Sequence, residues 1–409
     1  MEKHIGDSQL SPSSQSTLRI LQFRVLPYRI PLRSPFTTAH GTLATREGAI
    51  VEILTANGIT GIGEVAPMPD FSGGNLNEAL TALHQSPIVN DLVGKELDEA
   101  LDILYGAVDI LPASTTCGLE IALLDALGQA QQCSISELLT QRSQSNADHP
   151  REPVSMQLPI APRTHIHVNT VIGASATNAA VNNAQAAIAT GFRCLKLKLG
   201  MGVKADIERV YAIREAIGPT IHLRLDANEA WDFDQAYIIL TTCASLDIQY
   251  VEQPLQASDL TGMHNLRKAV SIPIAADEAV YDLASARCVL AAQAADILIL
   301  KPQLIGGLHV SRQIIQEATE HGVHCVITST IETGIGIIGT LHLVAASPEV
   351  TLECGLSTLD ILEDDMVTED LSIHDGLLPV PSGTGLGVHL DRRALWEWRA
   401  LGGVEAAQF

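Results

Sequence analysis

At 409 residues with 46% hydrophobic content, the chain is too long for one ordinary compact domain and apolar enough for a large core. Its 25 basic against 47 acidic residues leave a formal charge of −22, which argues against nucleic acid as a partner. Seven scattered cysteines without a CxxC pair exclude a disulfide framework and a zinc knuckle and fit a reducing, cytoplasmic setting, and no apolar run approaches the ~18 residues of a membrane span.

The first 17 residues lack an apolar stretch and carry acidic side chains, which predicts a disordered leader, neither a signal peptide nor a transit peptide. From Leu18 to about Glu64 the pattern is β, with "LQFRVLPYRIPL" and "GAIVEILTANGITGIGEV" flanking "RSPFTTAHGTLATREG", whose Gly, Thr and Ser content has loop character. "APMPDFSGG" reads as a second loop. From Asn75 to about Leu139 the apolar spacing is helical, with Leu119, Ala122, Leu123 and Ala126 on one face. These segments make an N-terminal α+β unit over 18–140. "TQRSQSNADHPREP" is polar and reads as a structureless linker, and no role is assigned to the loop around 141–152.

Over 160–370 the rhythm changes. Eight short apolar runs, from "HIHVNTVIG" through "RCLKLKLG" and "IHLRLDAN" to "VTLECG", alternate with helical segments. That alternation predicts an α/β fold, a (β/α) barrel of the triosephosphate isomerase type, modified because its eighth unit is less regular. Residues 371–409, including "GLLPVPSGTGLGVHLD", return to irregular or β structure against the N-terminal unit.

In such barrels the chemistry collects at the C-terminal ends of the strands. Those ends carry Lys198, Asp226 with Asn228, Glu252, Asp277 with Glu278, and Lys301, at successive spacings of 28, 26, 25 and 24 residues, about one β/α unit each. Read singly, each carboxylate is more easily a helix cap or an ion-pair partner. Three at equivalent positions make a hard oxygen cage, suited to Mg²⁺ better than Zn²⁺ because no His or Cys joins it. In "CLKLKLG", Lys196 and Lys198 share a strand face opposite Leu195, Leu197 and Leu199. Neighbouring positive charge and partial burial are expected to lower the pKa of one lysine toward that of a general base. Lys301 would approach a bound substrate from the opposite side.

These residues resemble the enolase superfamily. The resemblance rests on "PLRSPFTTAHG", "GEVAPMPDFSG", "KLK", "DAN", "VEQP", "ADE", "LKP" and "GLGVHLD", and it spans nearly the whole chain beyond the leader. It implies that the N-terminal unit and the C-terminal tail form a capping domain over the barrel. It makes Asp226, Glu252 and Asp277 the Mg²⁺ ligands, with Mn²⁺ as a substitute, and Lys198 the acid/base with Lys196 as its electrostatic partner. Within the superfamily, "KPQLIGG", "TSTIETGIGIIGTLHLVAA" and "CGLSTLDILEDDM" are similar to the muconate-lactonising subgroup, and most of all to o-succinylbenzoate synthases. That similarity implies a syn dehydration of 2-succinyl-6-hydroxy-2,4-cyclohexadiene-1-carboxylate to 2-succinylbenzoate through an enediolate, a step of menaquinone synthesis. Lys301 would then stabilise the intermediate by a cation–π contact. Substrate contacts are expected from Ser329 and Thr330 after strand seven, Gly355 after strand eight, Asn228, and Thr38 and His40 on a capping loop.

The nearest rival is a racemase or epimerase of N-acylated amino acids or dipeptides, with Lys198 and Lys301 exchanging the proton on opposite faces. Dipeptide epimerases of this subgroup carry an Asp-x-Asp on strand eight where this chain reads "ECG". N-succinylamino acid racemisation is a closer competitor, because both substrates present a succinyl chain. Muconate cycloisomerisation and a non-catalytic barrel fit less well, the latter because all six lysines and carboxylates are kept. The sequence leaves the oligomeric state open.

Overall fold

The computed structural model describes residues 18–38, 41–69, 74–145, 161–173 and 176–400. The leader, His40 and residues 146–152 of the expected linker lie outside the described residues.

Three antiparallel strands open the chain: β1 (Ile20–Thr38), β2 (Gly41–Thr55) and β3 (Thr60–Val65). β1 and β2 pair from Ile20 with Thr55 to Thr38 with Gly41. The stretch expected as a loop is therefore the far half of a long hairpin, since threonine suits a strand as well as a loop. The ladder slips between Pro31 and Phe36, where Pro35 has no N–H to contribute, and this irregularity releases Arg33 and Ser34 from the pairing.

Five helices follow: α1 (Leu76–Gln85), α2 (Pro87–Leu92), α3 (Leu97–Tyr105), α4 (Ala113–Gln131) and α5 (Ile135–Ser145). α4 is buried without interruption from Ser114 to Gly128. It lies tight against β3, because Gly61 and Gly63 are bare. A Cβ on either would come within about 2.1 Å of the carbonyl oxygens of Ala122 or Gly118. α5 runs to Ser145 and so takes up "TQRSQS", a stretch expected to be structureless.

β4 (His165–His167) leaves the barrel and pairs with β12 (Leu377–Pro379). The barrel sheet is β5 (Thr170–Ile172), β6 (Cys194–Lys198), β7 (His222–Asp226), β8 (Ile248–Glu252), β9 (Ile274–Ala276), β10 (Ile297–Leu300) and β11 (His324–Ile327), all parallel and in chain order. Single bridges from Cys354 to Val168 and from Gly355 to Thr328 close the ring in place of an eighth strand, as the irregular eighth unit foreshadows. The outer helices are α6 (Thr177–Ala189), α7 (Val203–Ile217), α8 (Phe233–Thr242), α9 (Leu260–Ala269), α10 (Leu283–Ala291), the short α11 (Pro302–Ile305), α12 (Leu308–Glu320) and α13 (Gly334–Ala345). After α14 (Arg392–Glu397), Ala400 N–H donates to the Pro27 carbonyl on β1 at 3.0 Å.

Carboxylates buried between cap and barrel hold the two together. Glu64 accepts the N–H groups of Thr333 and Gly336 at the start of α13, and Glu120 of α4 accepts those of Leu308 and His309 at the start of α12. Gln303 bridges the same seam, donating to the Glu64 carbonyl at 2.8 Å and accepting from Ala66 N–H at 3.0 Å. All seven cysteines are unpaired. No helix among the described residues is long and apolar enough to cross a membrane.

Candidate active site

The strand pleat sets the site. Along β6, Leu195 and Leu197 are fully buried against the helices, which turns Lys196 and Lys198 inward. Parallel register places Lys198 beside Asp226 and Asp226 beside Glu252. Asp277 follows β9 and Lys301 follows β10. Three strands, β7, β8 and β9, separate the two lysine strands β6 and β10, and each supplies one carboxylate. Five of the six groups, Lys196, Lys198, Glu252, Asp277 and Lys301, line one cavity of about 450 Å³, and the sixth, Asp226, is fully buried in contact with the two lysines of β6.

Lys198 Nζ donates to Asp226 Oδ2 at 2.6 Å and to Asn228 Oδ1 at 2.7 Å. Lys196 Nζ lies 3.0 Å from the same Asp226 oxygen and 2.8 Å from Glu252 Oε1. Lys301 pairs with Asp277 Oδ1. Asn228 donates its amide to Glu278 Oε1 at 2.9 Å, and Gln253 Oε1 accepts Asp277 N–H at 2.9 Å. The strand-end turns are tight, with Asn228 and Gln253 both at positive φ.

Electrostatics correct one expectation. Burial by itself would pull the Lys196 pKa down, but Glu252 and Asp226 outweigh it and raise it well above the ordinary value. Lys301 is likewise raised, because Asp277, Glu278 and Glu252 outweigh its burial. Acids from adjacent strands, which register brings within contact, overwhelm the like charge of a neighbouring lysine. The acids diverge in turn. Burial would raise Asp226, yet Lys198 and Lys196 hold it below the usual range. Burial, reinforced by Asp226, pushes Glu252 up to about 8, and burial with Asp277 pushes Glu278 up to about 7.

The chain matches two family descriptions: "Mandelate racemase / muconate lactonizing enzyme, N-terminal domain" over residues 20–140, and "Enolase C-terminal domain-like" over residues 179–394. The chain belongs to the enolase superfamily. It is 31% identical over 377 residues to the hydrophobic dipeptide epimerase of Enterococcus faecalis, covering 91% of this chain and 99% of the relative. It is 35% identical over 219 residues to the o-succinylbenzoate synthase of Thermobifida fusca, covering 52% of this chain and 68% of the relative. Among solved structures, the E. faecalis dipeptide epimerase complexed with Mg and the dipeptide L-Leu-L-Tyr superposes with a TM-score of 0.81 at 30% identity, over 90% of this chain and 99% of that one.

The donor set of this superfamily member fits a hard divalent cation. Four carboxylates, Asp226, Glu252, Asp277 and Glu278, bring hard oxygen donors to the mouth, and a bound cation would favour the ionised form of the two that burial raises. Glu252 Oε2 and Glu278 Oε2 are buried with no hydrogen-bond partner, an expensive state that an oxygen-seeking ion would relieve. Among the described residues, no three acidic, His or Cys side chains already surround a common ion position, because the lysines hold the inner oxygens.

The remaining expected contacts are mixed. Asn228, Ser329, Thr330 and Gly355 all line the cavity. Asn228 is engaged at both ends by Lys198 and Glu278, Ser329 Oγ lies 2.7 Å from Thr358 Oγ1, and the Thr330 hydroxyl donates to Glu332 at 2.8 Å. Gly355 is bare for a packing reason, since a Cβ there would sit 2.8 Å from Thr328 Cγ2. Thr38 ends β1 at the far tip of the hairpin. Sequence reasoning missed Arg33, Leu43, Met68, Ile331 and Asp360, which also line the cavity. For Arg33 the signal was present as Ser-Pro after an arginine, a break in the ladder next to a charge.

Proposed function

We propose that the protein is a Mg²⁺-dependent o-succinylbenzoate synthase acting in the cytoplasm on the route to menaquinone. The observation that carries this reading is the end of strand eight. Glu353 is turned away from the mouth, with Oε2 accepting from Arg224 at 2.8 Å and Oε1 2.5 Å from His222 Nδ1, and Gly355 has no room for a side chain. Nothing at that strand end meets a substrate ammonium, and the wall of Leu43, Met68, Val171, Ile331 and Ile361 suits an uncharged ring.

Asp226, Glu252 and Asp277 would hold the ion, whose Lewis acidity supplies stabilisation for negative charge developing on a substrate carboxylate. Lys198, as the neutral amine, takes the proton α to that carboxylate, and the C–H electron pair moves onto the carboxylate. The resulting ammonium then protonates the departing hydroxyl on the same face as the C–O bond breaks, releasing water and an aromatic ring. Lys301 stands on the opposite side of the ring, where its positive charge suits the face of the developing π system. Lys196, held charged between Glu252 and Asp226, stands beside Lys198 and adds positive charge where the negative charge of the intermediate would develop.

One observation favours a second reading. Asp360, in the turn Leu359–Ile361, is an exposed carboxylate on the cavity wall and could receive the ammonium of a dipeptide. With lysines on opposite faces, that would make the protein an epimerase, as is the E. faecalis relative by name. An N-succinylamino acid racemase would use the same two lysines. Ultraviolet-monitored turnover of the hydroxycyclohexadiene carboxylate, with Mg²⁺ and then EDTA, separates the readings when run beside α-deuterium exchange on dipeptides and N-succinyl amino acids. Fast metal-dependent dehydration that Lys198→Ala loses supports the synthase. Exchange on dipeptides without dehydration overturns it in favour of the epimerase.

A further inference from the structure

Ile331 holds a backbone conformation that its side chain disfavours. Its φ is +63°, in the left-handed region, where a β-branched residue is an outlier. The side chain is buried and lines the cavity. Such conformations persist only where the surroundings over-determine them, and they gather at functional sites.

The surroundings here come from both domains. Glu332 folds back on the turn, its Oε2 accepting Thr330 N–H at 2.8 Å and its Oε1 the Thr330 hydroxyl at 2.8 Å. Ser329 Oγ accepts Ile331 N–H over a long 3.4 Å. From the cap, Arg46 Nε donates to the Ile331 carbonyl at 3.0 Å. Arg46 is only 2% exposed, and its other donors reach the carbonyls of Glu47 at 2.8 Å, Pro67 at 2.6 Å and Ala66 at 2.5 Å. Each of these four acceptors is a backbone oxygen. Residues 66 and 67 lead straight into Met68, which lines the same cavity from the cap. One guanidinium therefore ties a barrel wall to a cap wall.

We propose that Arg46 is a positioning residue that holds Ile331 in its left-handed conformation, making the Ile331 side chain a selectivity-determining wall of the cavity. The planar fork is required because the acceptors lie in separate directions, which the single nitrogen of a lysine does not span. The selectivity follows from the catalytic reading above, whereas the strained turn and its strut stand without it.

The test has two arms on the full chain. The first needs no substrate. Glycine normally destabilises relative to alanine, but at positive φ the order reverses. Ile331→Gly is therefore expected to melt above Ile331→Ala, and Arg46→Lys to speed amide exchange at 330–333 while leaving β6 to β8 protected. The second arm compares α-deuterium exchange on N-succinyl-L-alanine and N-succinyl-L-phenylalanine. Ile331→Ala and Arg46→Lys should move the kcat/KM ratio of the bulky to the small substrate in the same direction, by about tenfold and mainly through KM. The double variant should go no further than the larger single effect. Ile331→Ala melting at or above Ile331→Gly overturns the proposal, as does an Arg46→Lys variant that loses stability with exchange at 330–333 and the substrate ratio unchanged. If neither substrate reacts, the selectivity role of Ile331 is overturned while the synthase reading still stands or falls on dehydration, and the first arm still decides whether Arg46 holds the turn.

Discussion

Glu64 offers the sharpest test of how the cap is fastened to the barrel. Its Oε1 accepts from the Tyr28 hydroxyl at 2.5 Å and Thr333 N–H at 2.9 Å, and its Oε2 from the Thr333 hydroxyl at 2.6 Å and Gly336 N–H at 2.8 Å. Each oxygen thus carries one backbone N–H, and a glutamine has only one acceptor oxygen. Whichever way the amide of Glu64→Gln turns, the N–H of Thr333 or of Gly336 meets an NH₂ group. Hydroxyls rotate to accept, but a backbone N–H does not. Leaving one buried donor unsatisfied costs about 1–3 kcal/mol, and removing an anion from a helix N-terminus about 1 kcal/mol more, so the loss is about 3 kcal/mol. A melting entropy of about 2.1 cal/mol/K per residue over 409 residues is about 0.9 kcal/mol/K, which converts that loss into a drop in Tm of about 3–4 °C. Calorimetry of the wild type and Glu64→Gln in one buffer measures it. Because α13 begins at Gly334, three residues on from the cavity-lining Ile331, kcat/KM should fall with Tm. A glutamine variant melting within about 1 °C of the wild type would refute the reasoning, since the carboxylate would then be replaceable by a neutral group with one acceptor.

Five further outcomes are expected. Glu120 accepts two backbone N–H groups and a long 3.3 Å bond from Tyr105, yet burial lifts its pKa from the ordinary 4.5 to about 7. The folded state therefore keeps this proton longer than the unfolded chain does, and stability falls as pH rises from 4.5 to 7. At about 1.4 kcal/mol per unit, the advantage of the wild type over Glu120→Gln should shrink by about 3 kcal/mol across that window in chemical denaturation, and a flat difference would contradict the shift. Lys198→Ala should lower turnover by at least ~10²-fold, the usual worth of a general base. Lys301→Arg keeps the cation but not a base, so it should spare dehydration while abolishing racemisation, and loss of both would remove the purely electrostatic role. Gly355→Ala should destabilise by about 1–3 kcal/mol through overlap with Thr328 Cγ2, and Thr328→Ser in the same chain should recover part of it. Saturating Mg²⁺ at about 100 times its Kd adds about 2.7 kcal/mol, a rise of about 3 °C in Tm that EDTA reverses and Glu252→Gln diminishes.

The mouth of the barrel is legible in the sequence because its chemistry recurs once per β/α unit and because strand alternation fixes which side chains turn inward. Lys196, Lys198, Asp226, Glu252, Asp277 and Lys301 all follow from those two regularities. The lysine electrostatics do not, since the acids that raise Lys196 sit 30 and 56 residues away and reach it only through parallel register. Arg33 and Asp360 stand on single irregular turns with no periodic partner to mark them. Ile331 is hidden for another reason, because no composition rule places a β-branched residue at positive φ. The far half of the β1–β2 hairpin is hidden in the sequence because threonine and glycine serve strands and loops alike.

The two catalytic readings share their first step, removal of a proton next to a carboxylate, and the lysines and acids at the mouth serve both. What divides them lies in the wall. A synthase needs an uncharged wall around a ring that becomes aromatic, whereas an epimerase of dipeptides needs an anion for the ammonium. Gly355, packed against Thr328, and Glu353, spent on Arg224 and His222, withhold that anion at strand eight. Asp360 is the remaining cavity-lining carboxylate in the segment that follows. Asp360→Asn is therefore the substitution that separates the readings within one polypeptide. Under the synthase reading it leaves dehydration within a few-fold of wild type, because an exposed carboxylate is well screened. Under the epimerase reading it removes the ammonium's partner and raises KM for dipeptides by at least ~10-fold while N-succinyl substrates are unaffected, the size expected when a charged hydrogen-bond partner is lost.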